Sequence, residues 1–492
     1  SSNTPHKTES KMTTTTTKRN TNQIQTIAGV LGNVLEWYDF ALYGFFSDII
    51  AQVFFPPGQD NLLLSYIVFG GAFVARPFGG LIAGHIGDKH GRKRALVMSM
   101  ISMSIPTFVM GCLPGYDVIG GWSTALLIIC RLAQGLSVGG QLPASVVYTV
   151  ETKPREHWGY YGAYVSFAAG AGSMLGNLVG AFLRQFLTDA QLLSWGWRIP
   201  FLSGILMAAV AGLLQVVGEE HNPNEAEYNS THESNSSIGE VEQSEHNSSS
   251  VVASFLEEKH PIKEALRKEN LPALFSSMLV PMLGGCGWYI TFVWMAVYME
   301  SILNPPVPGA FWVNLAALTF GHQIPSLLTG WWSDSVGRTK LMLAGTILTA
   351  ITGPFFVWII SYGNTVGALL AQTALGIVLS FYTGPLFAYI PERFPPHIRL
   401  TSFSLGYNIG ICISAGFSPT IATALAQNYG DAAPGYMYSF FAVATLIGMF
   451  LATKIRYDDG GGIDDTTADN TAIDLESEPN VQEEGRTSPL LV

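Results

Sequence analysis

Four charged side chains sit where the surrounding sequence is apolar. Glu36 and Asp39 lie in the first long apolar run, Arg76 in the second and Arg131 in the fourth. At the centre of a bilayer each costs about 2.5–3.5 kcal/mol, so four unpaired ones would cost roughly 10–14 kcal/mol. They must therefore face one another or water. Glu36 and Asp39 are three residues apart, which puts both carboxylates on one helical face, with Tyr43 four residues beyond Asp39. A carboxylate in a part-wet cavity holds a proton more readily unless a cation is close, so moving a cation toward or away from it makes it release or bind that proton. This is the physical requirement for proton coupling. Arg131 is the expected partner of Asp39, and Arg76 of Glu36. The same two pairs would serve equally as static struts.

A second set of residues has the chemistry to hold a small solute. The planar fork of Arg76 suits bidentate contact with a carboxylate, although beside Pro77 it could equally bond backbone carbonyls. Gln134, His322, Gln323, Tyr382 and Asn408 are polar positions inside apolar runs; each either completes a site or makes a hydrogen bond between helices. Trp288, Tyr289 and Trp294 could form a cation–π wall for a quaternary ammonium, or simply pack. His322 is an alternative titrating group, since an imidazole changes charge near neutral pH.

The elements that position these residues are legible from composition. Hydrophobic residues make up 48% of the chain and charged residues 12%, about half the usual charged share of a soluble globular protein. Twelve apolar runs are long enough to cross a hydrocarbon core: 24–50, 62–86, 95–113, 123–150, 159–183, 198–217, 271–299, 309–332, 341–360, 366–390, 401–427 and 436–455. The expected class is an all-α membrane protein of twelve transmembrane helices. The first six runs (24–217) and the last six (271–455) would form two helical bundles, joined by a polar linker at 218–270. Residues 1–23 and the acidic tail 456–492 read as disordered. The N-terminal stretch lacks a short apolar region and a small-residue cleavage site, so the first span is expected to act as its own insertion signal.

Cys112, Cys130, Cys286 and Cys412 lie inside apolar runs without metal-binding or disulfide spacing. No catalytic triad, phosphate loop, zinc spacing or basic–aromatic stripe is present. An enzyme, a cofactor, a metal and a nucleic-acid partner are therefore not expected. Lys and Arg crowd the loops on one side of the twelve spans, whereas the other side holds only Arg184 and Arg198. Basic loops stay cytoplasmic, which places both termini and the 218–270 linker inside. Asn229, Asn235 and Asn247 carry the glycosylation pattern but would then never meet the glycosylation machinery.

Two short charged runs recur half a chain apart. Residues 84–94 read GHIGDKHGRKR and residues 330–340 read GWWSDSVGRTK. A second echo pairs Glu151-Thr-Lys-Pro154 after span four with Glu392-Arg-Phe-Pro395 after span ten. Two six-span halves that share hinge positions indicate parallel internal repeats, with a site at their interface near the bilayer midplane.

Gly87-Asp88-x-x-Gly91-Arg92-Lys93 resembles the loop signature of the major facilitator superfamily, and Asp334-x-x-Gly337-Arg338 its second-half copy. More narrowly the chain resembles the metabolite:proton symporter branch. That likeness rests on Gly32-Asn-Val-Leu-Glu36-Trp-Tyr-Asp39-Phe, Phe73-Val-Ala-Arg76-Pro-Phe-Gly-Gly, Leu113-Pro-Gly-Tyr-Asp-Val-Ile-Gly120 and Arg131-Leu-Ala-Gln134-Gly-Leu-Ser-Val-Gly-Gly140. Trp195-Gly-Trp-Arg198-Ile-Pro-Phe201 and Pro391-Glu-Arg-Phe-Pro395 with Arg399 extend it. Members of the branch carry proline and betaine-type osmolytes, or carboxylates such as 2-oxoglutarate, citrate and shikimate. The resemblance implies a latch on the cytoplasmic side built from Asp88, Arg92, Glu151, Asp334, Arg338 and Glu392, with Glu151 and Glu392 accepting from Arg92 and Arg338. It also implies a glutamate after the paired glycines. Gln141-Leu-Pro143 stands there instead, so a carboxylate is missing on the expected substrate path and Gln141 joins the candidate substrate-binding residues.

The expectation is a monomeric, proton-driven symporter importing a small carboxylate-bearing metabolite or osmolyte by alternating access, in contact with the lipid bilayer. A uniporter, an exporter, or a non-transporting receptor on the same fold are the alternatives. The plasma membrane is the expected location, with an endosomal or vacuolar membrane suggested by Arg486-Thr-Ser-Pro-Leu490-Leu491.

Overall fold

Helix starts follow the loop prolines and glycines, and the apolar runs between them fold as long helices. In the computed structural model the described residues are 34–58, 61–90, 92–206, 208–209 and 265–453; the side chains of residues 83–97 and 397 are not among what is described. The N-terminal stretch, nearly all of the linker with its three Asn-x-Ser/Thr sites, the acidic tail, and the side chains of Asp88 and Arg92 lie outside the described residues.

Twelve helical segments correspond to the twelve apolar runs. They are α1 (34–54), α2 (Asn61–His90), α3 (Arg92–Cys112), α4 (Gly121–Glu151), α5 (Trp158–Phe186) and α6, which opens with Arg198–Leu202. The second bundle comprises α7 (Leu271–Ile302), α8 (310–336), α9 (Arg338–Ile360), α10 (Thr365–Tyr389), α11 (Ile398–Tyr429) and α12 (Ala433–Ala452). No strand occurs among the described residues. Eight of these segments have a mean hydropathy between 1.3 and 1.9 over a membrane-spanning length. Their outward faces carry large apolar side chains such as Ile351, Val366, Leu370 and Phe440, a surface matched to hydrocarbon. Helices satisfy their own backbone there, which is why this fold can span a bilayer.

Two local features set the geometry of the interior. Gly135 and Gly139 lie one turn apart on α4 and meet the backbone of α2. A Cβ on Gly135 would come within 2.0 Å of Ala72 O, and one on Gly139 within 1.8 Å of Arg76 O. Only glycine permits this crossing, and it brings the turn carrying Arg76 against the turn carrying Arg131 and Gln134. The second feature is a set of wide, π-type turns at 289–294 in α7, 317–323 in α8 and 412–416 in α11. Pro325 and Pro419 follow the latter two and withhold the N–H that would bond four residues back, loosening the turn before them. Trp288, Tyr289, His322 and Gln323 sit at or beside these widened turns.

The second hinge is tight. Gly337 is the single residue between α8 and α9, with φ +100°, a conformation open to glycine and strained for other residues.

Candidate functional site

The charged residues of α1, α2 and α4 come together in the interior, but not as simple pairs. Asp39, Arg76 and Gln134 are fully buried, and Glu36 and Arg131 are within two per cent of it. The expected contact of Asp39 with Arg131 is bridged by Gln134. Arg131 Nη1 donates to Gln134 Oε1 at 2.8 Å, and Gln134 Nε2 donates to Asp39 Oδ2 at 2.9 Å and to Thr107 Oγ1 at 2.8 Å. Gln134 lies one turn from Arg131 on the same face of α4, so its Oε1 accepts from Arg131 on its own helix while its Nε2 reaches Asp39 on α1 and Thr107 on α3. Gln134, a candidate substrate-binding residue, is a member of this charge network. The Arg131 guanidinium lies over the rings of Tyr43 (4.3 Å) and Phe40 (4.9 Å), so its charge is held by aromatic faces as well as by the amide.

Glu36 and Arg76 make no direct ion pair either. Arg76 Nε donates to Asn408 Oδ1 on α11 at 3.4 Å, while both terminal guanidinium nitrogens and both Glu36 oxygens have no hydrogen-bond partner among the described residues. Asn408 donates in turn to Gly139 O at 2.6 Å. A polar chain therefore crosses from the first bundle to the second at mid-depth. Taken together, two carboxyl groups and two guanidiniums form a buried set whose formal charges balance.

Beside this set lies a small cavity between the two bundles. Its walls come from both bundles: Trp37 of α1, Leu142 of α4 and Gly170 of α5 face Trp288 and Tyr289 of α7, His322 of α8, Thr383 of α10 and Tyr407 of α11. Among the described residues, those lining the cavity include no Asp, Glu, Lys or Arg. Arg76 does not line it, but its guanidinium carbon is 5.9 Å from the ring centroid of Trp37, which does.

His322 is oriented by its neighbour. His322 Nε2 lies 2.9 Å from Thr383 Oγ1, a hydrogen bond whose donor depends on the imidazole tautomer. Nδ1 is buried and has no hydrogen-bond partner among the described residues. Trp288 packs edge-on against the imidazole, with ring centroids 4.9 Å apart.

Several other expected site residues are placed elsewhere. Trp294 stacks on Tyr298 and donates from Nε1 to Thr423 at 2.9 Å; it is core and does not line the cavity, whose Trp, Tyr and Phe side chains are Trp37, Trp288, Tyr289, Phe387 and Tyr407. Tyr382 bonds the carbonyl of Val280 and joins α10 to α7. Gln141 accepts from Ser99 Oγ at 3.2 Å, between α4 and α3, away from the lining. Gln323 is buried with neither amide atom partnered among the described residues, and its amide presses on Gly170, itself a lining residue. Trp37 and Tyr407 escaped the sequence reading. Tryptophan beside two spaced carboxylates on one helix was the available signal for the first.

The face bearing the two charged hinges is joined by a set of ion pairs. Asp334 accepts from the backbone N–H groups of Gly159 (2.8 Å) and Tyr160 (2.9 Å), so a carboxylate of the second bundle caps the start of α5 in the first. Arg338 donates to Asp334 and to Arg155 O, both at 3.0 Å, and its Nε lies 3.1 Å from Glu392 Oε1, too oblique for a hydrogen bond. Burial pushes the Glu392 carboxyl above the usual carboxylate range, with Arg338 and Arg393 pulling it partly back. The side chain of Arg92, the expected partner of Glu151, lies outside the described residues; Glu151 pairs with Arg399 at 2.7 Å. Arg399 reaches it from α11 because two backbone carbonyls, Pro391 O and Phe394 O, fix its Nε.

The opposite face has a clasp the sequence reading did not identify. Asp48 on α1 pairs with Arg184 on α5 at 2.8 Å and accepts from Ser301 on α7 at 2.9 Å. The Arg184 guanidinium also lies 4.4 Å from the ring centroid of Phe311 on α8. Contacts between the bundles thus exist above and below the cavity.

Residues 30–406 and 315–473 match the model of the Major Facilitator Superfamily. The chain is a member of that superfamily. It is 30% identical to the proline/betaine transporter of Salmonella typhimurium over 427 residues, covering 85% of this chain and 81% of that protein. It is 28% identical to the citrate-proton symporter of Klebsiella pneumoniae over 427 residues, covering 85% and 88%. The partially occluded, inward-open structure of the xylose transporter XylE from E. coli superposes with a TM-score of 0.64 at 19% identity, covering 89% of this chain and 98% of that one. The last is a likeness of fold, and it agrees with twelve helices in two six-helix bundles.

Proposed function

We propose that this membrane protein is a proton-driven symporter that takes up a small carboxylate-bearing solute by alternating access. The observation that carries the proposal is the buried, charge-balanced set of Glu36, Asp39, Arg76 and Arg131 beside an aromatic cavity shared by both bundles. Asp39 and Glu36 are the proton-carrying groups, with Arg131 and Arg76 as the cations whose approach controls them. His322, Gln323 and Trp288, together with Trp37 and Tyr407, handle the solute, and Arg76 reaches its carboxylate from behind Trp37.

The absence of formal charge among the described lining residues favours a solute with little net charge, because an ionised group in a dry cavity needs a compensating charge. A zwitterion fits: its carboxylate toward Arg76, its cationic end against the Trp288 and Tyr289 faces. The salmonella relative is named for such solutes. A tricarboxylate would leave charge uncompensated.

Asp334, Arg338, Glu392, Glu151 and Arg399, with Asp88 and Arg92 in the first-half hinge, act as the gate on the basic face. We assign that face to the cytoplasm by the bias of Lys and Arg, with both termini inside, the plasma membrane as location and a monomer as the working unit. The bundles correspond to 24–217 and 271–455, with 218–270 as linker.

A thermal-shift screen of the purified protein against amino acids, betaines, and di- and tricarboxylates tests the solute class. Stabilisation by proline or a betaine, stronger at low pH, is the expected outcome. Stabilisation by citrate alone would overturn the low-charge reading, and labelled solute that enters vesicles without proton movement would overturn symport.

A further inference from the structure

The amide of Gln134 has its orientation dictated by what surrounds it. Arg131 can only donate, so the end facing Nη1 is the oxygen (2.8 Å). Thr107 directs its hydroxyl hydrogen at Met103 O at 2.8 Å, so toward Gln134 it can only accept, and the end facing it is the NH2 group. The second hydrogen of that NH2 goes to Asp39 Oδ2 at 2.9 Å. Every hydrogen-bonding capacity of the amide that these neighbours need is used, in a residue with no solvent exposure.

The consequence for Asp39 is specific. One carboxylate oxygen is occupied by a neutral donor, the other, Oδ1, has no hydrogen-bond partner among the described residues, and the guanidinium is kept one amide away. A guanidinium in direct bidentate contact would hold the carboxylate ionised. An interposed amide passes on only part of that stabilisation and leaves one oxygen available to a proton.

We propose that Gln134 is a positioning residue for proton coupling: its amide holds Arg131 off Asp39 and so keeps Asp39 able to take up a proton. This rests on the proton-symport reading above. The other titratable groups facing the pair are Tyr38 and Tyr43 on α1, Cys130 on α4 and Tyr289 on α7, with Glu36 and Arg76 acting on Tyr289 from beyond it; α3 contributes the Thr107 hydroxyl. Among these, only Gln134 touches both members of the pair by hydrogen bonds.

The test is a pH titration of purified protein followed by infrared difference spectroscopy, reading the carboxylic-acid carbonyl band that disappears in Asp39→Asn. Gln134→Met removes the amide at similar volume, and Gln134→Asn shortens it so that it cannot reach both partners; the second keeps the test in hand if the first does not fold. With the spacer gone, Arg131 closes on Asp39, and the midpoint of the band is expected to move to lower pH by about one unit, a tenfold change in proton occupancy at fixed pH. Gln134→Glu, which gives Arg131 a competing carboxylate, is expected to move it to higher pH. An unchanged midpoint, or a shift to higher pH in Gln134→Met or Gln134→Asn, overturns the spacer role. Absence of any Asp39-dependent band in the parent protein has a different signature: it removes the proton role of Asp39 itself, and the spacer role with it.

Discussion

Replacing Asp39 with asparagine removes one negative charge from a buried set that holds two carboxylates and two guanidiniums. The shape is retained, and the asparagine carbonyl can still accept from Gln134 Nε2 at the 2.9 Å position of Asp39 Oδ2. The variant is therefore a permanent copy of the protonated state, and solute binding and exchange of labelled for unlabelled solute should persist. Accumulation should not. One proton crossing a potential of 100 mV supplies about 2.3 kcal/mol, which at about 1.36 kcal/mol per decade corresponds to roughly 50-fold accumulation in the parent. Without a site that changes charge at Asp39, the loaded and empty carriers no longer differ by the coupled proton, and the ratio should fall toward one. The assay uses proteoliposomes carrying a potassium diffusion potential, with labelled proline as probe, comparing counterflow with concentrative uptake. If Asp39→Asn concentrates proline as well as the parent, the assignment is wrong, and Glu36 or His322 is the next group to examine.

Arg76→Ala should abolish solute binding and Arg76→Lys should keep part of it, since a point charge replaces a planar fork; calorimetry that finds the same affinity in Arg76→Ala makes this arginine structural. On the basic face, Glu392 binds a proton more tightly when buried in the closed gate than when hydrated in an open one, because burial raises its pKa. The closed gate therefore holds more protons above the ordinary carboxylate range, so its stability relative to the open gate rises as pH falls and is lost as pH rises through the raised value. Opening measured by spin-label distances across that face should decline on acidification in the parent and lose this pH dependence in Glu392→Gln; an identical slope in both would refute the argument. On the opposite face, Arg184→Ala leaves Asp48 buried and unpaired, at a cost of about 3–5 kcal/mol, so the variant should melt earlier and favour opening on that face. In a background without the four native cysteines, a cysteine at Ala169, which lines the cavity, should then be alkylated faster from that side, and an unchanged rate would show that Ser301 and Phe311 suffice to hold the clasp.

Much of this protein is written along the chain because the bilayer acts on each segment separately. Whether a run of about twenty residues can cross hydrocarbon depends on that run alone, so the twelve spans and the position of Glu36, Asp39, Arg76 and Arg131 inside them were legible without any knowledge of packing. The repeated Asp-x-x-Gly-Arg hinges were legible for a similar reason: the turn at Gly337 is a local backbone requirement. Helical spacing also put Glu36 and Asp39 on one face. It could not say what that face meets. Asp39 reaches Arg131 through Gln134, Glu151 takes Arg399 from α11, and Asp48 joins Arg184 and Ser301 across two bundles. Trp37 and Tyr407 line the cavity while Trp294, on the same helix as Trp288, turns into the core. Each of these outcomes depends on how closely and at what angle separate helices cross, as where Gly135 and Gly139 let α4 settle onto α2. A helix determines the direction of its side chains, and only the packing of one helix against another determines which of them touch.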